Sequence, residues 1–222
     1  MIRAAVITLV SSVVSLSAFA QEAEVAPRES EAQASAPVNG VYVPINSSQR
    51  LGWIVEGSVG PRSLSVGVLS SAWQTAWNTP EEWNRTWSGM GKRYAARVAD
   101  VTISNALEAG LGAIWGEEPR YIPSQRRGFG PRARYAAKTV FLAPRRDGHL
   151  APAWGRYVGN TLNNVIENEW LPPSVTTPRA TIVRSVNGFL GRLIGNLYEE
   201  FWPDAHRLLR KRWRRDGGSQ TS

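Results

Sequence analysis

Apolar residues in this chain recur at helical spacing, in runs that open just behind a proline, and that combination favours helices over any other element. After Pro61, residues Leu64, Val68, Leu69, Ala72, Trp73, Ala76 and Trp77 fall along one stripe of a 3.6-residue helix. Comparable stripes run through Tyr94, Val98, Val101, Leu107, Leu111 and Ile114, and through residues 133–142. Two more run through Trp154, Val158, Leu162, Val165 and Ile166, and through Ile182, Val186, Phe189, Leu190, Leu193 and Leu197. Thr79-Pro80-Glu81-Glu82 combines a capping residue, a proline at the first helical position and an acid at N3, which predicts a helix from Pro80 to Trp115. Thr177-Pro178 repeats the cap and proline, and Gly60-Pro61, Gly130-Pro131 and Ala151-Pro152 place proline similarly behind weaker caps. No stretch of useful length shows β-branched alternation. The expected fold is all-α, a compact bundle of five or six helices joined by Gly/Pro turns.

Glycine is frequent inside these helices. Gly112-x3-Gly116, Gly155-x3-Gly159 and Gly191-x3-Gly195 each place two glycines on one helix face. An interior glycine costs about 1 kcal/mol against alanine, so the pairs point to helix contacts in which backbones approach closely. In membranes that spacing is an association face; in water it serves tight packing. Polar residues such as Glu108, Asn160, Asn163 and Arg192 interrupt every segment. None therefore reaches the roughly 18 consecutive apolar residues of a transmembrane helix.

The ends bear on where the chain works. Arg3, an apolar run over residues 4–16 and Ala18-Phe19-Ala20 form the three parts of a cleavable secretory signal peptide over residues 1–20. The run is short for a permanent anchor. Cysteine is absent, so no lipoprotein anchor forms behind the cleavage site and no disulfide can substitute for packing. Residues 21–46, rich in Glu, Ala, Ser, Pro and Gln, read as a disordered acidic linker. A helical domain is expected over 47–202, a basic amphipathic helix over 203–216 and a disordered tail over 217–222. Ten tryptophans supply large apolar surface with a polar handle, suited to cores, interfaces or bilayer boundaries.

The net charge is +8, and it gathers at the C-terminus, where Arg207, Arg210, Lys211, Arg212, Arg214 and Arg215 surround Leu208, Leu209 and Trp213. That pattern suits adsorption to an anionic lipid or lipopolysaccharide surface, at about 1 kcal/mol per basic residue; it equally suits a solvated helix end. Nucleic acid is not expected as a partner of an exported chain, whereas a homo-oligomer built on the Gly-x3-Gly faces is an open alternative.

Chemistry is sparsely signalled. His149 lies in Arg145-Arg146-Asp147-Gly148-His149, a charged turn between two helices. Glu199, Glu200, Asp204 and His206 gather in eight residues, but not at a helical metal-ligand spacing. Glu199 and Glu200 are expected to pair with arginines, and no metal or cofactor is expected. Glu117 and Glu118, in Trp115-Gly116-Glu117-Glu118-Pro119-Arg120-Tyr121, are the candidate general acids of a rival reading, a hydrolase acting on wall or lipid substrates. G-x-S-x-G, P-loop and dinucleotide-binding motifs are absent.

That same segment, and Glu200-Phe201-Trp202-Pro203-Asp204, resemble a group of uncharacterised exported bacterial proteins of similar length. The resemblance covers about Arg50 to Arg207 and implies an envelope protein with no established activity. The leading expectation is a non-enzymatic envelope protein, in the periplasm or outer envelope, docked peripherally on an anionic membrane. The other alternative is a membrane-inserting or oligomerising helical protein.

Overall fold

Local signals of unequal strength set the elements of the computed structural model, which describes residues 42–217, with side chains to residue 207. The predicted signal peptide, most of the predicted linker and the last five residues lie outside these. Asn46 starts α1 (Ser47–Val59) with a full capping box: its side chain accepts from Gln49 N at 2.8 Å, and the Gln49 side chain accepts from Asn46 N at 3.1 Å. Pro61 and Pro178 open α2 (Pro61–Ala76) and α6 (Pro178–Gly217) where the sequence places them. Between them come α3 (Trp87–Trp115), α4 (Phe129–Phe141) and α5 (Trp154–Glu167).

Two expected starts fail. Residues Glu81–Trp83 form only a 3-10 turn behind a cis Thr79-Pro80 bond, and α3 begins at Trp87, where Thr86 Oγ1 accepts from Gly89 N at 3.0 Å. The competitor is Arg93. This buried guanidinium reaches back from α3, donating to the carbonyls of Thr79 (2.8 Å), Pro80 (2.7 Å) and Asn84 (2.8 Å). In a helix from Pro80 those carbonyls would be bonded to amides four residues on. Ala151-Pro152 does not open a helix either. It belongs to β2 (Leu150–Pro152), which pairs antiparallel with β1 (Leu142–Pro144) in the register Leu142↔Pro152, Ala143↔Ala151 and Pro144↔Leu150. Asp147-Gly148 makes the turn, with Gly148 at φ +81°. Among the described residues the fold is thus mostly helical, with one two-stranded hairpin added to the expected all-α bundle.

Helix α3 packs against α1, α2 and α5, while α6 closes on α4 and α5. Helix α5 runs antiparallel to α3: Gly155 lies against Gly112, Gly159 against Glu108, and Asn163 bonds Asp100 at 2.6 Å. A Cβ on Gly155 would sit 2.7 Å from Gly112 N and 2.9 Å from its Cα, closer than real Cβ contacts come. The two backbones touch because neither residue has a side chain.

The stripes face the wrong way for a domain with a hydrophobic core. Val68, Leu69, Trp73 and Trp77 of α2 point outward, while Gly67 and Ser71 are buried. On α5 the exposed side is Trp154, Val158, Leu162 and Val165, and the buried side is Gly155, Arg156, Gly159, Asn163, Asn164 and Glu167. Helix α6 turns Ile182, Val186 and Leu190 outward and Arg184, Arg192 and Asn196 inward. Among the described residues the buried hydrophobic set is Ile103, Ala109, Ala136, Val140, Ala143 and Ala153, and the largest fully buried side chains are Arg93, Glu118 and Glu200. In ordinary globular domains charged residues are almost never fully buried unless paired, and the inside is aliphatic. Here the helices are assembled through their polar and glycine faces.

Candidate functional site

Beside the Arg93 cluster, three further groups of charge hold the described interior together. At the end of α3 the chain turns at Gly116 (φ +69°), and the two following carboxylates go inward. Glu117 accepts from the amides of Trp154 (2.9 Å) and Gly155 (2.8 Å), so a carboxylate from α3 caps the N-terminus of α5. Charge of that sign at that end contributes about 0.3–1 kcal/mol, and up to about 2 when partly buried. Glu118 accepts from Arg120 Nε at 2.7 Å and Nη2 at 3.0 Å, from the Tyr42 hydroxyl at 3.2 Å and from Ile45 N at 3.1 Å. The end of the predicted linker is therefore folded against this carboxylate. Burial, with the Glu118 charge beside it, pushes the Tyr42 phenol well above its ordinary range.

The second group is at Glu200. It accepts from the Tyr121 hydroxyl (2.7 Å), Ser124 N (2.8 Å) and Arg132 Nε (2.6 Å). Arg132 also pairs with Asp204 and donates to the Glu200 carbonyl, inside the turn that Pro203 interrupts. Helix α6 continues through that proline, so the basic segment extends the same helix. Burial and the hydrogen bond to Glu200 push the Tyr121 phenol far up. Glu199 turns the other way, 3.8 Å from Arg62, and His206 is exposed.

The third group lines a cleft of about 1240 Å³ between α1–α2 and α6, floored by α3 and α5. Glu108 of α3 holds both Arg156 (3.0 Å) and Arg192, and Arg192 also donates to the Pro119 carbonyl at 2.9 Å. Further along, Arg184 pairs with Glu167 at 3.3 Å, and Arg97 with Asp100 at 3.7 Å. Asn160, Asn163, Asn164 and Asn196 fill the spaces between. Trp53, Tyr121 and Phe189 add aromatic surface.

The sequence-derived candidates scatter across this frame. Glu117 and Glu118 are buried and saturated by donors, and neither lines the cleft. The glycines divide: Gly112, Gly155 and Gly159 make the α3–α5 contact, Gly116 is the helix cap, and a Cβ at Gly191 or Gly195 would meet nothing within 4 Å. Those last two face the cleft. Arg207 is exposed on α6. The side chains of Arg210, Lys211, Arg212, Trp213, Arg214 and Arg215 lie outside the described ones. The cleft itself was missed. Its signal is present in the sequence as Arg156, Asn160, Asn163, Asn164 and Glu167, polar residues on the helical period of α5 opposite its apolar stripe.

The exterior has its own geometry. Trp73 and Trp77 flank Thr75, which lies beside Arg93 of α3, while Trp154 adjoins Gly155, which lies against Gly112. Arg93 and Gly112 are nineteen residues apart on α3, about 28 Å at 1.5 Å per residue. Between these two tryptophan levels, α2 carries no charged residue after Arg62, and both charged residues of α5 turn inward. Among the described residues, no single helix is long and apolar enough to cross a membrane. No family model, curated protein or solved structure matches the chain.

Proposed function

We propose that the mature protein is a non-enzymatic component of a bacterial envelope that sits within a lipid bilayer as an inside-out helical bundle, holding a polar cleft inside the acyl layer. One observation carries this: two levels of outward tryptophan, about 28 Å apart, bound an apolar outer face that carries no charge on α2 after Arg62 or on α5, around a charged interior. The hydrocarbon layer of a bilayer is about 30 Å thick, with the bacterial outer membrane thinner than average, and tryptophan collects at both of its edges. Ionisable side chains at membrane depth face the bundle interior and pair with one another, as Glu108, Arg156, Arg192, Glu167 and Arg184 do. A hydropathy window averages the two faces of each helix, so a bundle of this kind carries no long apolar segment. In water the same exterior would leave the apolar stripes of three helices open to solvent, which monomeric proteins seldom do.

Export is supported by residues 1–20 and by the resemblance to exported proteins. The basic end of α6 would then lie at anionic headgroups, adding the electrostatic attachment expected of it. Self-assembly through a single two-fold patch fits less well, since outward stripes occur on α2, α5 and α6.

Extraction of envelope fractions tests the proposal. Release by detergent and not by about 1 M salt, which screens surface charge beyond some 3 Å, is the expected result. Release by salt alone would overturn bilayer seating and leave the basic helix end as the attachment.

A further inference from the structure

We infer that the cleft holds one phospholipid-class amphiphile, its phosphate at Arg156 and Arg192 and an acyl chain along the α1–α2 wall. This rests on the cleft of the proposed membrane protein and names what it would hold. The charge at the head end is out of balance. Arg156 and Arg192 converge on a single oxygen, Glu108 Oε1, so two guanidiniums share one carboxylate. The other carboxylates there do not make up the difference: Glu199 turns to Arg62 at 3.8 Å, and Glu56 is exposed on the α1 wall. Arg192 has donors to spare. Its Nη2 serves Glu108 and the Pro119 carbonyl, while among the described residues its Nε and Nη1 have no acceptor, and both remain accessible. Burial and the Arg156 charge push this guanidinium down to about 10, as expected of a cation short of counter-charge. An anionic phosphate would supply the missing charge and several acceptors at once.

The rest of the cleft suits an acyl chain. Trp53 of α1, Val66 of α2 and Val101 of α3 line it, and Val66 is half-exposed. On α6 opposite, Ile194 is exposed, and a Cβ at Gly191 or Gly195 would meet nothing within 4 Å. The asparagine side chains of α5 are already engaged: Asn160 donates to the Ser185 carbonyl, Asn163 to Asp100 and Asn164 to the Asn160 carbonyl. Depth agrees as well. Glu108 is four residues from Gly112 on α3, so the shared carboxylate lies about 6 Å inside the Trp154 level. Val101 is seven residues beyond Glu108, about 10 Å deeper and near the middle of the apolar band. A head near one edge of the bilayer and a chain running inward is the disposition a lipid has there. The volume of about 1240 Å³ exceeds the roughly 300–1,000 Å³ of pockets for drug-sized ligands, which leaves room for a lipid. Free phosphate would leave the apolar wall uncovered, and an uncharged acylglycerol would leave the extra guanidinium unpaired.

Two variants separate head from chain. Arg192→Met removes the surplus charge, and Arg156 alone then balances Glu108 at 3.0 Å. Gly191→Leu fills the cleft while removing no native contact. Full-length protein in a non-ionic detergent would be titrated with phosphatidylglycerol, with diacylglycerol of the same chains and with inorganic phosphate, and the complexes counted by native mass spectrometry. The expected result is saturation at one phosphatidylglycerol per protein, at least tenfold tighter than diacylglycerol or phosphate. Each variant should weaken it at least tenfold at unchanged helical circular dichroism. Diacylglycerol or phosphate bound as well as phosphatidylglycerol, uptake without saturation, or no uptake overturns the inference. So does binding that either folded variant leaves unchanged. Loss of the helical signal in one variant leaves the other to decide, and the comparison of the three ligands needs neither. Because binding is read in detergent, a failure of bilayer seating and a failure of lipid recognition show up in different experiments.

Discussion

Replacing Leu162 by arginine separates an exterior facing lipid from one facing water. Leu162 lies on the outward stripe of α5, next to Asn163, which bonds Asp100 of α3. The midpoint between the tryptophan levels falls near residue 102 of α3, two to three residues away, so Leu162 is within about 4 Å of the middle of the apolar band. At the centre of a bilayer, leucine contributes roughly −0.5 kcal/mol and arginine costs about 2.5–3.5. The expected loss is therefore about 3 kcal/mol, or about two orders of magnitude in the folding equilibrium. On a water-facing surface the same change stays within about 0.5 kcal/mol. The assay is urea unfolding of protein reconstituted in phosphatidylglycerol-containing vesicles, followed by far-ultraviolet circular dichroism. Asn187→Arg, an equal charge added at an exposed position lining the cleft, is the control and is expected to shift stability by well under 1 kcal/mol. Equal effects of the two substitutions would refute the argument that Leu162 meets lipid.

Three other outcomes follow from the packing. Gly155→Val drives a side chain into the Gly112 backbone and should cost about 1–3 kcal/mol by overpacking, whereas Gly191→Ala, in open space, should gain up to about 1 kcal/mol; thermal melts of the pair check both signs. Arg93→Met strands the carbonyls of Thr79, Pro80 and Asn84 and should destabilise by at least about 3 kcal/mol, with proteolysis near residues 79–86 as the local readout. Tyr42 and Tyr121 stay protonated beyond the usual phenol range in the folded protein, while unfolded phenols ionise near pH 10. Above about pH 10 the unfolded chain therefore holds fewer protons, and stability should fall as pH rises. Removing both hydroxyls with Tyr→Phe should flatten that fall in pH-dependent melts.

The helices were legible because their period and their prolines are local properties: Pro61 and Pro178 act within one turn. The inversion was not, since a stripe such as Val68, Leu69, Trp73 and Trp77 has the same period whether it meets a core or a lipid. Only the opposite face distinguishes the two. On α5 that face is Gly155, Arg156, Gly159, Asn163 and Glu167, whose partners Gly112, Glu108, Asp100 and Arg184 lie 17 to 63 residues away in sequence. The false start at Pro80 has the same origin, because the guanidinium that claims those carbonyls sits on the following helix. Glu117 and Glu118 drew notice as adjacent acids; what they bind, the first amides of α5 and the Arg120 fork, became visible only in three dimensions.

Dividing apolar residues between helix faces also matters before the protein folds. An exported chain is threaded through a translocation channel, and a segment that is apolar all round is halted there and released sideways into the membrane being crossed. In this chain each stripe is diluted by the arginines, asparagines and glutamates of the opposite face, so no described helix carries that stop. Under the proposed export and bilayer seating, the described helices would cross that channel without halting and become lipid-compatible only once Glu108, Glu167 and their arginines have found one another on the far side. The interior ion pairs would then act as the gate on membrane entry, and a variant unable to form them would remain in the aqueous compartment.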